Sequence, residues 1–282
     1  MPGPHDIHLC QPDPRKSCGA CCGLYNYKDS SRESLEARLD ARTTLFHDTV
    51  RDRRDLGAFA KRITSIESME KRYEVIYCCE YLGFLDKEHR RVGCLLHPSM
   101  NRGVDMRDVS FYGRELCDGH FCPSYHYLAP WEQEAVVNTI DDWYLYGLVI
   151  TDIDLVKEYF RLTAEALGEA PDPERLKSGL LKDLVYRFFS FKIAWPFRSP
   201  EANRLGKYYF DGSQYMISHI DYDSLGLERS SFDKIFLSLT SRFASRDEVI
   251  RAENIIEKSI EAFVSHYRKG DSRIGDRGVY TV

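Results

Sequence analysis

Apolar residues recur at every third or fourth position through most of the chain, a spacing that is typical of amphipathic helices. Over residues 30–75 this pattern predicts a helical segment made of two helices. The first begins at a Ser30-x-x-Glu33 pair, which has the spacing of a capping box. The second covers about residues 52–71, and its apolar positions are Leu56, Phe59, Ile63, Ile66 and Met69.

The helical pattern returns after residue 128. The helices that it predicts span about residues 131–148, 151–167, 171–191, 230–243 and 245–267. Gly168 follows the second of these, and Ser245 with Glu248 forms a capping box before the last. Segment 171–191 is apolar on more than one face, so we expect it at the centre of the core.

One β-hairpin interrupts these helices. Asp211-Gly212 separates alternating aromatic and polar residues within 206–218, which is a strong signal for a tight hairpin. The last segment, 270–282, is predicted to be a frayed tail. The predicted fold class is therefore mostly α with minor β.

Composition narrows the class of protein. The 282 residues are 43% hydrophobic and 29% charged, enough to bury a core and too apolar for a disordered chain. A net charge of −5 argues against a nucleic-acid partner. No apolar run reaches the length of a membrane span, and MPGPHDIHLC lacks the basic and apolar regions of a secretory signal. We therefore predict a cytosolic protein with no membrane association.

The nine cysteines all lie between residues 10 and 122. Their odd number and the lack of an export signal argue against disulfides, whereas local cysteine clusters in cytosolic chains usually bind metal. Cys78 lies in the apolar run VIYCC and is predicted to be a core thiol. The eight predicted metal ligands are Cys10, Cys18, Cys21, Cys22, Cys79, Cys94, Cys117 and Cys122.

The spacing of these cysteines supports a metal site. Cys18 and Cys21 form a C-x2-C pair around small residues, and Cys117 and Cys122 form a C-x4-C pair that contains Gly119. Two such pairs can close a loop around one centre, whose metal then contributes folding free energy. Cys22 directly follows Cys21, and successive side chains of an extended segment face opposite ways. One of these two thiols is therefore expected to face a second ion or the core.

Three histidines lie near the cysteines and could replace a sulfur ligand, although a lone histidine is more often an ordinary surface residue. They are His97, His120 and His126, of which His120 lies inside CDGHFC. His5 and His8 are predicted to be exposed.

Together these motifs resemble a known family. They are Cys18-Gly-Ala-Cys21-Cys22, Cys79-Glu-Tyr-Leu82, Cys94-Leu-Leu-His97-Pro98, Cys117 and Cys122. Over about residues 10–127 the chain is similar to the YkgJ-like cysteine-cluster family, which has a CxxCxxCC signature and is described as chelating zinc or iron. The resemblance implies metal or iron–sulfur chelation. Flagellin lysine methylases carry a similar cluster, so it also allows a methyl-transfer or redox role.

The chain departs from this signature at Arg15, where the family has its first cysteine, and Cys10 is the candidate replacement. Eight thiolates could form two four-thiolate zinc sites, or one iron–sulfur cluster with thiols to spare. We favour zinc, with iron or an iron–sulfur cluster as the alternative. A closed four-thiolate zinc site would be structural.

The predicted organisation is a Cys-rich, metal-stapled module over residues 1–127, with a helical insert at about 30–75, packed on an α-helical domain over 128–282. Asp pairs at 141–142, 152/154 and 221/223 are interpreted as helix and turn caps. No nucleotide-binding, hydrolase or metalloprotease motif is present. We therefore predict a metal-chelating protein. The alternatives are an iron–sulfur enzyme and an interaction protein with structural zinc, so enzymatic activity stays open.

Overall fold

The computed structural model describes residues 7–68 and 70–275, with side chains up to residue 270. His5, Met69 and residues 276–282 of the predicted tail lie outside the described residues. Over the described part of the chain, no helix is both long enough and apolar enough to cross a membrane.

Helices dominate the described residues, and two small antiparallel sheets accompany them, so the predicted fold class of mostly α with minor β is confirmed. The helices are α1 (Arg32–Thr49), α2 (Leu56–Ile66), α3 (Gly113–Gly119), α4 (Ser124–Tyr127), α5 (Pro130–Thr139), α6 (Trp143–Ile150), α7 (Ile153–Leu167), α8 (Gly179–Phe189), α9 (Phe191–Ala194), α10 (Asp233–Ser238) and α11 (Arg246–Gly275). The strands are β1 (Leu82–Phe84), β2 (Val92–Cys94), β3 (Tyr208–Asp211) and β4 (Gln214–Ile217).

The largest core cluster joins helices α5 to α8 with α10 and α11. Aromatic rings fill its centre, and the ring centroids of Tyr159 and Phe188 are 4.2 Å apart in a stacked arrangement. Phe188 and Phe189 are fully buried there, so the prediction that this segment is central is confirmed. Leu9 belongs to the same cluster and Cys18 packs against it, which brings the start of the chain onto the helical body.

Two smaller clusters organise the cysteine-containing half. One joins α1 and the β1–β2 hairpin to Trp143 and Tyr144 of α6. The other lies between α1 and α2 and includes Cys79. Because α6 contributes to the first of these clusters, both halves of the chain share buried side chains. The division at residues 127/128 stays a prediction.

Several predicted helices have different bounds in the structure. Helix 131–148 is interrupted after Thr139, since Asp142 caps α6 by accepting a 2.9 Å hydrogen bond from the Leu145 amide. The first predicted helix begins one residue later than expected, because Ser31 rather than Ser30 is its cap. The second ends at Ile66, because the next residue, Glu67, turns inward to bind Arg42.

Other differences lie near the C-terminal end. The helix predicted at 171–191 is divided in the structure into a 3-10 turn, Pro173–Leu176, and α8. The two elements are separated just before Gly179, which has a φ of +73°. The helix predicted at 230–243 is limited to α10, whereas α11 extends to Gly275 beyond the predicted end near Tyr267. The start of the predicted tail is thus helical.

Predictions that rest on specific turn chemistry are confirmed. Helix α7 ends before Gly168, which has a φ of +88°. Asp211 pairs with Gln214 in the β3–β4 hairpin, with Gly212 in the turn. Asp152 caps α7 by accepting a hydrogen bond from the Leu155 amide, as the capping interpretation predicted. Hairpin β1–β2 was not predicted.

Position 147 needs a glycine because a neighbouring side chain approaches it closely, and not because of its own backbone conformation. A Cβ at this position would lie 2.3 Å from Tyr25 Oη, whose hydroxyl donates to the Tyr144 carbonyl. We expect Gly147→Ala to lower the free energy of unfolding by about 1–3 kcal/mol through overpacking. A Cβ on helical Gly57 would have no described heavy atom within 4 Å, so Gly57→Ala should raise stability by up to about 1 kcal/mol.

Urea denaturation of both variants checks this prediction. Equal stabilisation by the two alanines would show that helix propensity alone decides at Gly147, and would contradict the close approach of Tyr25.

Candidate metal centre

The cysteines are brought together by turns near the start of the chain. The Cys18 amide donates a 2.9 Å hydrogen bond to the Cys10 carbonyl, which closes a loop between these two cysteines. Ser17 fixes this loop against β2, since its hydroxyl accepts from the Val92 amide at 2.6 Å and donates to the Val92 carbonyl at 2.8 Å. Cys94, at the end of β2, is thereby held near the first cysteine motif.

A 3-10 turn, Ala20–Cys22, carries the adjacent cysteines. Gly23 follows it with a φ of +79°, and a Cβ there would lie 2.1 Å from the Tyr77 carbonyl oxygen. Only glycine therefore permits the approach of the segment that contains Cys79. The Cys79 amide donates to the Cys22 carbonyl at 2.9 Å, so these two cysteines are held side by side.

Four thiols form what we call the first quartet: Cys10, Cys18, Cys21 and Cys122. Desolvation raises the pKa of Cys21 to about 12, and the charges of Cys122 and Cys10 add to the rise. Burial also raises the pKa of Cys18 well above its usual value, with contributions from Cys10, Cys21 and Cys122. Because such repulsion weakens with distance, these four thiols lie within electrostatic range of one another.

The remaining four predicted ligands form the second quartet: Cys22, Cys79, Cys94 and Cys117. Burial raises the pKa of Cys22, and the charges of Cys79 and Cys94 raise it next, with smaller contributions from Cys21 and Cys117. Desolvation raises the pKa of Cys79 to about 12, and the charge of Cys94 contributes to this rise. Desolvation raises the pKa of Cys94 to about 11, and the charge of Cys117 contributes to this one. Cys21 and Cys22 face different quartets although they are adjacent in sequence.

Cys78 lies apart from both quartets. It is 1% exposed and packs in the cluster that contains Leu24 and Trp143. The Asn26 side-chain amide lies 3.6 Å from its sulfur. Its surroundings are those of a core thiol.

The histidines have other roles in the described structure. His97 caps a short 3-10 turn, since its Nδ1 accepts a 3.2 Å hydrogen bond from the Ser99 amide. The same atom lies 2.8 Å from the Ser99 hydroxyl. His120 and His126 are exposed. Arg15, at the position of the missing cysteine, makes a 3.0 Å ion pair with Asp141. Cys10 rather than residue 15 therefore supplies the fourth thiol of the first quartet.

The segment that carries Cys117 is loosely packed. Helix α3 buries none of its residues, and Phe111 and Leu116 are 72% and 61% exposed. An ion pair of 3.0 Å between Arg107 and Asp118 ties the helix to the rest of the chain. Few apolar contacts hold such a segment, so small movements of α3 cost little free energy.

All nine cysteines are free thiols. Across residues 7–68 and 70–270, no three His, Cys, Asp or Glu side chains are arranged to hold a metal ion as they stand. The members of each quartet are thus neighbours that do not converge on one point.

One buried atom bears on whether a metal-bound thiolate would fit. Tyr125 Oη is buried without a hydrogen-bond partner among the described residues, and desolvation, followed by the charge of the neighbouring Cys10 thiol, raises the pKa of this hydroxyl. A thiolate at Cys10 would accept the unused hydrogen of Tyr125, so the surroundings of the first quartet fit a charged sulfur ligand. Sequence reasoning missed Tyr125, since it lies outside every cysteine motif.

Searches against protein-family models, curated proteins and solved structures give no match for this chain. Its resemblance to the cysteine-cluster family stays a prediction from the motifs.

Proposed function

We propose that this is a metal-chelating protein in which each quartet binds one metal ion, zinc by preference and iron or an iron–sulfur cluster as the alternative. The observation that carries the proposal is the division of the eight candidate ligands into two sets of four. Four thiolates are the complete ligand set of a structural zinc site. Soft thiolate sulfur equally suits iron–sulfur clusters, so the occupant must be measured.

Binding would require the thiols of each quartet to draw together. Cys117 lies on the loosely packed helix α3, and Cys122 follows it by five residues. The second quartet therefore has one ligand, Cys117, on a segment that few apolar contacts hold, whereas Cys122 of the first quartet is buried. A metal ion would fasten this segment to the turn that carries Cys21 and Cys22, which is the metal-stapled module expected from the sequence.

In the zinc form the two centres would be structural, because four protein ligands leave no position for substrate. When bound, the metal would supply cross-links that a module with short strands and turns otherwise lacks. The chain's own residues would orient the sulfurs. Ser17 positions Cys18 against β2, and Tyr125 would donate to a thiolate at Cys10.

Metal analysis after anaerobic purification tests the proposal. We expect a colourless protein with about two zinc ions per chain, in keeping with four thiolates per ion. Cys117→Ser should retain about one ion, because this exposed residue contributes a ligand to the second quartet and little to the core. Cys78→Ala, the matched control, should retain both.

A brown protein with iron and labile sulfide would replace zinc by an iron–sulfur cluster. The proposal of chelation itself fails if the reduced protein takes up neither zinc nor iron, or if Cys117→Ser binds as much metal as the wild type.

A further inference from the structure

Among the described residues, three arginines lie together without a carboxylate in ion-pair contact, in a part of the molecule that the proposed function does not use. Arg72 and Arg198 donate to the carbonyls of successive residues, Glu201 and Ala202, the second at 3.0 Å. Arg204 donates to the Ile193 carbonyl at 3.4 Å. The loop between Arg198 and Arg204 thus gathers three guanidinium groups whose described hydrogen bonds go to neutral oxygens.

The charges of these groups act on one another. Desolvation, with the positive charges of Arg204 and Arg72, lowers the pKa of Arg198 to about 10, against an opposing effect of Tyr144. Asp29 interacts electrostatically with Arg204, but its carboxylate accepts from the Ser31 amide and makes no ion pair within 4 Å in the described chain. The cluster therefore keeps an excess of positive charge. Many other arginines of the described chain have a carboxylate within 4 Å, as Arg42 does.

An unused donor accompanies the excess charge. Arg72 Nε is buried and makes no hydrogen bond within the part of the chain that the structure describes. A buried donor left unpaired lowers the stability of the folded protein, so proteins rarely retain one without a use. Arg72 and Arg204 are each only partly buried, which leaves the cluster open to a ligand.

We propose that Arg72, Arg198 and Arg204 form a binding site for a phosphoryl group. Planar guanidinium groups pair with the oxygens of phosphate through two parallel hydrogen bonds, and several of them match a doubly charged oxyanion better than a single carboxylate. A bound phosphate would relieve the repulsion among the three arginines. Arg198 and Arg204 lie far from the thiol quartets in sequence, and none of the three arginines is a proposed metal ligand.

Isothermal titration with inorganic phosphate and with glycerol 3-phosphate, at constant ionic strength, tests the site. We expect both probes to bind, and tighter binding of the ester would indicate that an organic phosphate is the ligand. Arg198→Met and Arg204→Met should each weaken binding at least about tenfold, as loss of a charge-assisted pair predicts. Arg198→Lys should recover only part of the loss, since lysine cannot pair bidentately.

Arg187→Met is the matched control, because this arginine is exposed on α8 and lies outside the cluster. It should bind phosphate as the wild type does. Removal of one arginine should also leave the ligand-free protein at least as stable as the wild type, because it relieves repulsion. The proposal is overturned if neither probe binds, or if Arg198→Met and Arg204→Met bind as tightly as Arg187→Met.

Discussion

Replacing Cys21 by serine should remove one metal ion, and replacing Cys22 by serine should remove the other. The two residues are adjacent on one 3-10 turn, yet among the thiols Cys21 is affected most by Cys122 and Cys10, whereas Cys22 is affected most by Cys79 and Cys94. A 3-10 helix has three residues per turn, so neighbouring side chains point about 120° apart. Each thiol therefore faces its own quartet.

Pairs of substitutions make this prediction sharp. Cys10→Ser combined with Cys21→Ser should lower the metal content no further than either change alone, because both thiols belong to the first quartet. Cys21→Ser combined with Cys22→Ser should leave no metal. Metal content per folded chain and cobalt(II) titration, which reports tetrahedral thiolate coordination, measure both outcomes.

The effect on stability should be large, because apparent zinc-binding free energies reach about 10–16 kcal/mol for structural sites in small peptides. Loss of either ion should therefore expose the segment around α3 to trypsin, which can cleave after Arg114. The division into quartets is wrong if Cys21→Ser removes both ions, or if Cys10→Ser and Cys79→Ser remove the same one.

The sequence predicted those elements whose ends are set by local chemistry. Gly168 ends α7 because it adopts the left-handed conformation, and Asp211-Gly212 marks the β3–β4 turn. It failed where distant residues decide. Helix α2 ends where Glu67 binds Arg42 of α1, a partner 25 residues away. Local periodicity carries no information about such a contact.

Hairpin β1–β2 illustrates a second limit. Each strand has three residues, with a glycine in the middle, which is a weak strand signal. The glycines serve close packing, since a Cβ on Gly83 would lie 2.7 Å from Thr43 Oγ1 of α1. Only the tertiary structure shows this requirement.

The sequence predicted which thiols are candidate ligands, but not which of them lie together. Spacing identified eight thiols and indicated that Cys21 and Cys22 face different ways. The assignment of Cys10 and Cys122 to one quartet and of Cys79 and Cys94 to the other depends on contacts across the fold. The arginine cluster could not be predicted at all, since residue 72 is far in sequence from residues 198 and 204 and no motif links them.

A buried ion pair in the helical body should be among the most sensitive positions of the protein. Lys192 Nζ lies 2.7 Å from Asp152 Oδ2 and 3.0 Å from the Ser238 carbonyl, and the lysine is 3% exposed. The Ser238 hydroxyl donates to the other oxygen of Asp152, which also caps α7. Lys192→Met keeps the length of the side chain but leaves a buried carboxylate without its cation. We expect a loss of about 3–5 kcal/mol in the free energy of unfolding.

The pH dependence of this loss distinguishes an unpaired charge from poor packing. In Lys192→Met the buried Asp152 carboxylate would carry a charge without its cation, and burial disfavours that charge relative to the unfolded chain. Folding would then take up a proton, so the deficit relative to the wild type should shrink as the pH falls from 8 to 5. Lys177→Met, at an exposed pair with Glu174, should change stability little at either pH. A deficit that is independent of pH would show that Lys192 acts through packing. A deficit as small as that of Lys177→Met would show that methionine replaces the whole contribution of the buried pair.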